Sequence, residues 1–282
     1  MTSPQLSRYV AFSTDPAGGN PAGVWVGDVL PSPAEMQQIA PRVGYSETAF
    51  LAPVHGAERT VRYYSPEAEV PFCGHATIAA GAALGAAEGE GTYWFATQVG
   101  VVPVTVHPDG ACWNAALTSV EPLLKPVSNE VVDEALRGLH WKRADLDPAI
   151  PPALAYAGEW HLVLAVCERD RLRRLDYDFE ALAALSRRAG FITAQLIWRA
   201  QHTVFHARNP FPAGGIVEDP ATGAAAAALG GYLREAGLIS PPTVLTIHQG
   251  EDMGRPSEIT VEVPVVGGLV VSGAAVQMEG AT

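Results

Sequence analysis

The sequence predicts an α+β protein of two pseudo-symmetric lobes, each a curved, mostly antiparallel, barrel-like sheet wrapped around a central buried helix. Three observations carry this prediction. Two helical stretches, "HATIAAGAALGAA" and "ATGAAAAALGGYLREAG", are built of small side chains; the first is apolar almost all round, as a helix buried on every side is. Short runs of β-branched and aromatic residues, separated by turn residues, lie on both sides of these stretches. The order of elements in the first half then recurs in the second. A chain of 282 residues suffices for two lobes with a core each. A single mixed sheet with helices on its faces is the alternative arrangement.

Taken in order, "PSPAEMQQIAPRVG" opens with a helix-start signature. Ser32 stands at the N-cap, Pro33 in the first turn and Glu35 three residues after the cap, with apolar Met36 and Ile39 behind them and an end near Gly44. "SETAFLA" and "TVRYYS" read as strands, "PEAEVPFCGH" as a turn-rich loop, and the first buried helix follows. "GTYWFAT", "VVPVTVH" and "ACWNAAL" give three more strands. Two prolines in "VEPLLKPVSNE" break the strand pattern before a helix begins near Asn129, which places the lobe boundary between residues 1–122 and 123–268. In the second half Asp178 caps "FEALAALSRRAG". Strands "AQLIWRA" and "TVFHAR", a loop "NPFPAGGIVEDP", the second small-residue helix and three strand candidates complete the chain.

Composition narrows the function. Hydrophobic residues make up 48% and charged residues 17%, with no low-complexity tract, so the chain folds throughout. Lys and Arg number 18 against 30 Asp and Glu, a formal charge of −12, and no basic run would follow a phosphate backbone; neither nucleic acid nor an anionic membrane is an expected partner. An anionic substrate must therefore be held by backbone donors or a few local side chains. Cys73, Cys112 and Cys167 are widely spaced without a C-x-x-C pair, which argues against a disulfide framework or zinc site and for a reducing compartment. Cys112 and Cys167, in strand-like segments, read as buried apolar residues. The first residues show no apolar targeting core, and no run approaches the ~18 apolar residues of a membrane span. A soluble, cytoplasmic protein is expected.

Each buried helix starts just after a glycine-containing loop, "CGHAT" in one half and "EDPATGA" in the other. A helix N-terminus presents N–H groups and the positive end of its dipole, so each start is a potential anion site. The ionisable groups nearby are Glu47, His75, Glu218 and Asp219. Glu47 read alone is an exposed carboxylate at a strand start, but apolar Ala49, Phe50 and Leu51 follow at once, and partial burial suits a carboxylate to proton transfer. His75 is either a helix-capping ring or a neutral donor or acceptor for a ligand. Asp219 before Pro220 reads as a helix cap and Glu218 as its solvated neighbour. Cys73 has the helix-start setting that activates thiols, yet a thiol-pair racemase needs a second thiol and "VEDPATG" has none. His55, His107, His140, His161, His202, His206 and His248 are scattered and read as structural or surface residues. No G-x-S-x-G, H-E-x-x-H or Walker-type loop is present.

Taken together, "GNPAGV", "SETAFL", "VRYYSPEAEVPFCGHAT" and "EDPATGAA" resemble the phenazine biosynthesis-like (PhzF) isomerase family, within the diaminopimelate epimerase-like fold, and the match spans nearly the whole chain. The resemblance implies two similar lobes with the site in the cleft between them, and a C-terminal strand, about residues 269–282, returning to the first lobe. It implies that Glu47 removes and returns a proton on carbon, that His75 and Asp219 orient the substrate and assist transfer, and that Gly74 and Gly223 lend N–H groups to an anion. Asn20, Cys73 and Ala224 join the substrate-binding set. Neither a metal nor an organic cofactor is implied; the partners are a small carboxylated metabolite and a second copy in a homodimer. Two departures stand out: the phenazine enzyme carries serine where this chain has Ala224, and the neighbouring epimerases carry cysteine in both loops, where this chain keeps only Cys73. The expected activity is a cofactor-independent isomerase. Two alternatives are a racemase or epimerase using Glu47 and Cys73 as unlike bases, and a non-catalytic small-molecule-binding or protein-interaction module.

Overall fold

A computed structural model describes residues 4–278; the end of the expected C-terminal strand, residues 279–282, lies outside the described residues. The chain separates into two compact units, Met1–Thr118 together with Ser272–Thr282, and Ser119–Val271. The first unit contains β1 (Gln5–Ala11), β2 (Asn20–Val26), α1 (Pro33–Val43), β3 (Thr48–Pro53), β4 (Glu58–Tyr64), β5 (Glu69–Val70), α2 (Gly74–Glu88), β6 (Gly91–Thr97), β7 (Gly100–Asp109) and β8 (Cys112–Thr118). The second contains β9 (Leu123–Pro126), α3 (Asn129–Gly138), β10 (Ala153–Tyr156), β11 (Trp160–Val166), α4 (Arg169–Arg173), α5 (Phe179–Ala189), β12 (Thr193–Gln201), β13 (Val204–Phe211), β14 (Ile216–Asp219), α6 (Gly223–Glu235), β15 (Thr243–Gln249) and β16 (Ser257–Val263). The last strand, β17 (Val270–Gln277), pairs antiparallel with β1 through Tyr9–Gln277, Val10–Val276 and Ala11–Ala275.

In the first unit β1, β2, β3, β4, β6, β7, β8 and β17 pair in turn, and β17 closes the ring on β1. Helix α2 runs inside it, packed on β1, β2, β3, β7 and β8. Every residue from His75 to Gly85 is buried, which is why the sequence there has no wet face. A Cβ added at Gly81 would come within 2.8 Å of Val104 Cγ1, so the glycine sets how closely helix and sheet approach. In the second unit β9, β10, β11, β12, β13, β15 and β16 pair in succession. There α6 packs on β9, β10, β11 and β16, and a Cβ at Gly230 would meet Leu269 Cδ2 at 2.4 Å.

The internal repeat extends to strand direction. β2–β3 and β4–β6 are parallel in one unit, β11–β12 and β13–β15 in the other. Outside the sheets, α3 and α5 cover Leu162, Leu164 and Leu196 with Val132, Leu136, Leu182 and Leu185. α1 covers Trp25 and Phe50 with Met36 and Ala40. The expected caps are present: Ser32 Oγ accepts from the Glu35 N–H while the Glu35 carboxylate accepts from the Ser32 N–H, and Asp178 accepts from the Ala181 N–H. α1 ends at Gly44 with φ 81°.

Three short strands lie where the sequence reads as loop. β5 pairs back on β4 inside "PEAEVPFCGH". β9 starts just after the first proline of "VEPLLKPVSNE", runs through the second, Pro126, and pairs with β10. "NPFPAGGIVEDP" is a hairpin rather than a loop, because β13 continues through Phe211 and β14 returns on it with Asn209 opposite Asp219 and Pro210 opposite Glu218. Proline lacks only the donor, so it is tolerated where the ladder does not need its N–H. Among the described residues, no helix is long and apolar enough to cross a membrane.

Candidate active site

Helix α2 opens on Cys73 as N-cap and Gly74 as first helical residue, with no side-chain cap. The loop is tied down from behind. Thr77 Oγ1 donates to the Cys73 carbonyl at 2.7 Å and shares a 2.7 Å hydrogen bond with the hydroxyl of fully buried Tyr63 on β4. Arg62 and Glu69 form an ion pair across the β4–β5 turn, joined by Tyr64 Oη donating to Glu69 at 3.3 Å. That pair keeps the Glu69 carboxyl below its ordinary range. The "VRYYSPEAEV" segment is thus a brace that fixes where Cys73, Gly74 and His75 stand.

Glu47 is the residue before β3. Its carbonyl accepts from the Gly23 N–H at 3.1 Å, which registers it on β2. Its carboxylate, 21% exposed, lies 3.4 Å from Nε2 of His75, 8% exposed. Nδ1 of the same ring is 3.3 Å from Cys73 Sγ. One donor atom from each of Glu47, Cys73 and His75 lies within 4.8 Å of the other two. Among the described residues this carboxylate, imidazole and thiol converge at the start of a buried helix. The first intrahelical bond of α2 runs from the Thr77 N–H to the Cys73 carbonyl, so the N–H groups of Gly74, His75 and Ala76 precede it and make up the positive end of the dipole. A Cβ placed on Gly74 would meet no heavy atom within 4 Å. Asn20 begins β2, 2% exposed and opposite Ala11.

The start of α6 is built differently. The N-cap is Thr222, not Asp219, which ends β14 three residues earlier; the short return strand moves the cap along the chain. Thr222 Oγ1 donates to the Asp219 carboxylate at 2.6 Å, while Gln249 Nε2 donates to the Asp219 carbonyl at 2.7 Å and to Thr222 Oγ1 at 3.1 Å. Gly223 and Ala224 are the first two residues of α6, and the first intrahelical bond runs from the Ala226 N–H to the Thr222 carbonyl. Glu218 is buried rather than solvated. Its two carboxylate oxygens face the Arg208 guanidinium in a bidentate pair, one contact at 2.8 Å, and Arg208 also donates to the Arg173 carbonyl at 2.9 Å. Sequence reasoning missed Arg208 and Gln249, which reach the loop only through strand pairing.

The remaining candidates separate cleanly. Cys112 is buried, as expected, and burial raises its thiol pKa. Cys167 is exposed because it falls one residue past β11. His161 is structural: its Nδ1 lies 2.8 Å from Thr193 Oγ1, whose hydroxyl donates to Asn209 Oδ1 at 3.1 Å, so Nδ1 carries the proton. Burial pulls that ring down to about 3.

The sequence profile of the PhzC-PhzF family, described as phenazine biosynthesis-like protein, matches residues 9–281. The chain belongs to this family. It is 33% identical over 272 residues to the protein named uncharacterized isomerase YddE of Escherichia coli (strain K12), covering 93% of this chain and 91% of that one. It is 32% identical to trans-2,3-dihydro-3-hydroxyanthranilate isomerase of Pseudomonas fluorescens, covering 89% of this chain and 88% of that enzyme. A crystal structure of a PhzF-family protein from Bacillus anthracis superposes with a TM-score of 0.88 over 99% of this chain and 98% of its own, at 24% identity, and so shares the fold. As a phenazine biosynthesis-like protein whose relatives are named isomerases, the chain is an isomerase.

Proposed function

We propose that this isomerase moves a proton between two carbons of a small carboxylated metabolite, with Glu47 as the group that removes and returns it. The observation that carries the reading is the half-buried Glu47 carboxylate 3.4 Å from the buried His75 ring. A carboxylate in that position takes a proton from carbon and, as the carboxylic acid, delivers it to a second carbon; the imidazole beside it orients the substrate and stabilises the charge that passes between them. The N–H groups at the start of α2 answer the demand of an acidic protein for anion binding without basic side chains. Carboxylate and imidazole suffice for the proton transfers, so the reading calls on no cofactor.

The geometry weighs against Glu47 and Cys73 as two bases inverting one carbon. Bases on opposite faces of a carbon, each about 3 Å from it, stand about 6 Å apart. Here the two donor atoms lie within 4.8 Å of each other. A single carboxylate working on one face fits that spacing.

The test is Glu47→Gln, which keeps the shape and removes the titrating group. Turnover should fall by about 10²–10⁴-fold while ligand binding and the folded state persist. Undiminished turnover would contradict the assignment.

A further inference from the structure

We propose that Glu47, Cys73 and His75 form a site for a thiophilic divalent cation, Zn²⁺ in chemical class, whose binding reversibly shuts off the isomerase. The binding claim stands on geometry; the inhibition rests on the function proposed above. Thiolate sulfur, imidazole nitrogen and carboxylate oxygen are the zinc donor set, and three protein ligands leave a fourth position open. Zinc bonds of about 2.3 Å to sulfur and about 2.0–2.2 Å to nitrogen and oxygen, at tetrahedral angles, put nitrogen and oxygen about 3.4 Å apart and sulfur and nitrogen about 3.6 Å apart. His75 Nε2 lies 3.4 Å from Glu47 Oε2 and 3.9 Å from Cys73 Sγ. The sulfur lies nearer Nδ1, at 3.3 Å, than Nε2, and within 4.8 Å of the Glu47 oxygen, so completing the tetrahedron takes a rotation of the partly buried Cys73 side chain that swings the sulfur to the Nε2 edge of the ring.

The surroundings act in both directions. The positive end of the α2 dipole opposes a cation but favours the thiolate over the thiol, and it is the thiolate that binds metal. The formal charge of −12 draws cations toward the protein. Tyr63 and Thr77 fix the Cys73 backbone, and the Gly23 N–H fixes the Glu47 backbone, so binding has to order side chains only. Glu47 lies far from Cys73 and His75 in sequence, which hid the trio from spacing rules. The ion would occupy the carboxylate and imidazole that the reaction needs. It is an inhibitor on this account, not a cofactor.

Titration with Co²⁺, a coloured stand-in for Zn²⁺, reads the site directly. One equivalent should give a thiolate-to-cobalt charge-transfer band and the intense visible bands of four-coordinate metal, displaced by Zn²⁺. The band should vanish in Cys73→Ser and Cys73→Ala, both checked for native circular dichroism, and persist in Cys167→Ser. Zn²⁺ affinity should fall at least about tenfold in both Cys73 variants, since even outer-shell changes cost that much. No band in the wild type, a band surviving in both Cys73 variants, or one lost in Cys167→Ser overturns the site. Because the spectrum reads metal and not turnover, that failure leaves the isomerase reading intact. Metal bound at this site with turnover undiminished, or turnover not restored by a chelator, overturns the inhibition.

Discussion

The loops that start α2 and α6 share a backbone plan and differ in what their side chains are free to do. Both lead from a short returning strand into a small-residue helix whose first residue is glycine, Gly74 or Gly223, with no side-chain cap. At α2 the ionisable groups face one another: Glu47, His75 and Cys73 cluster at the helix start. At α6 the polar groups are spent on the protein itself, Asp219 on Thr222, Gln249 on both, and Glu218 on Arg208. The repeated architecture supplies two similar helix N-termini, one with its ionisable groups gathered together, as the proposed proton transfer needs, and the other with its polar groups bonded within the protein. The buried imidazoles divide in the same way, His75 beside a carboxylate and His161 sealed against Thr193.

Arg208→Ala leaves the Glu218 carboxylate buried without its cation and should cost about 3–5 kcal/mol of stability, measured by urea unfolding. Glu47→Gln, by contrast, should shift stability by no more than about 1 kcal/mol. Equal stability losses in the two variants would erase the distinction between a rigid loop and a reactive one.

The His161 ring titrates near 3 in the folded protein and near 6.5 when unfolded. Between those values the unfolded chain holds the extra proton, so stability falls as pH drops from about 6.5 toward 3, by up to about 1.4 kcal/mol per pH unit. His161→Asn, which keeps a donor near the Nδ1 position, should flatten that slope in unfolding curves taken at successive pH values. An unchanged slope would mean that the sealed imidazole is not what the second unit must keep neutral.

Much of this was legible in the sequence because its signals are local. Ser32 with Glu35, Asp178 before its helix, and the small-residue helices each state their own structure within one or two turns. Glu47 and His75 were legible as candidates through their neighbours and through the family resemblance. The short strands β5, β9 and β14 were not, since two to four residues flanked by proline carry no periodicity. Nor were Arg208 with Glu218, Gln249 with Thr222, or the approach of Glu47 to Cys73. Each of those contacts exists only after strands have paired, the β13–β14 hairpin for the first and strands farther apart in sequence for the other two. The exposure of Cys167 turned on a single residue beyond a strand end, finer than any pattern resolves.

In the proposed reaction one carboxylate shuttles the proton. Glu47 is 21% exposed, so the proton it carries exchanges with solvent between turnovers. Incubating carboxylated metabolites with the protein in D₂O and weighing them by mass spectrometry tests the claim directly. A substrate should gain deuterium on carbon with the wild type, and about 10²–10⁴-fold more slowly with Glu47→Gln. Deuterium entering at the wild-type rate in that variant would contradict it.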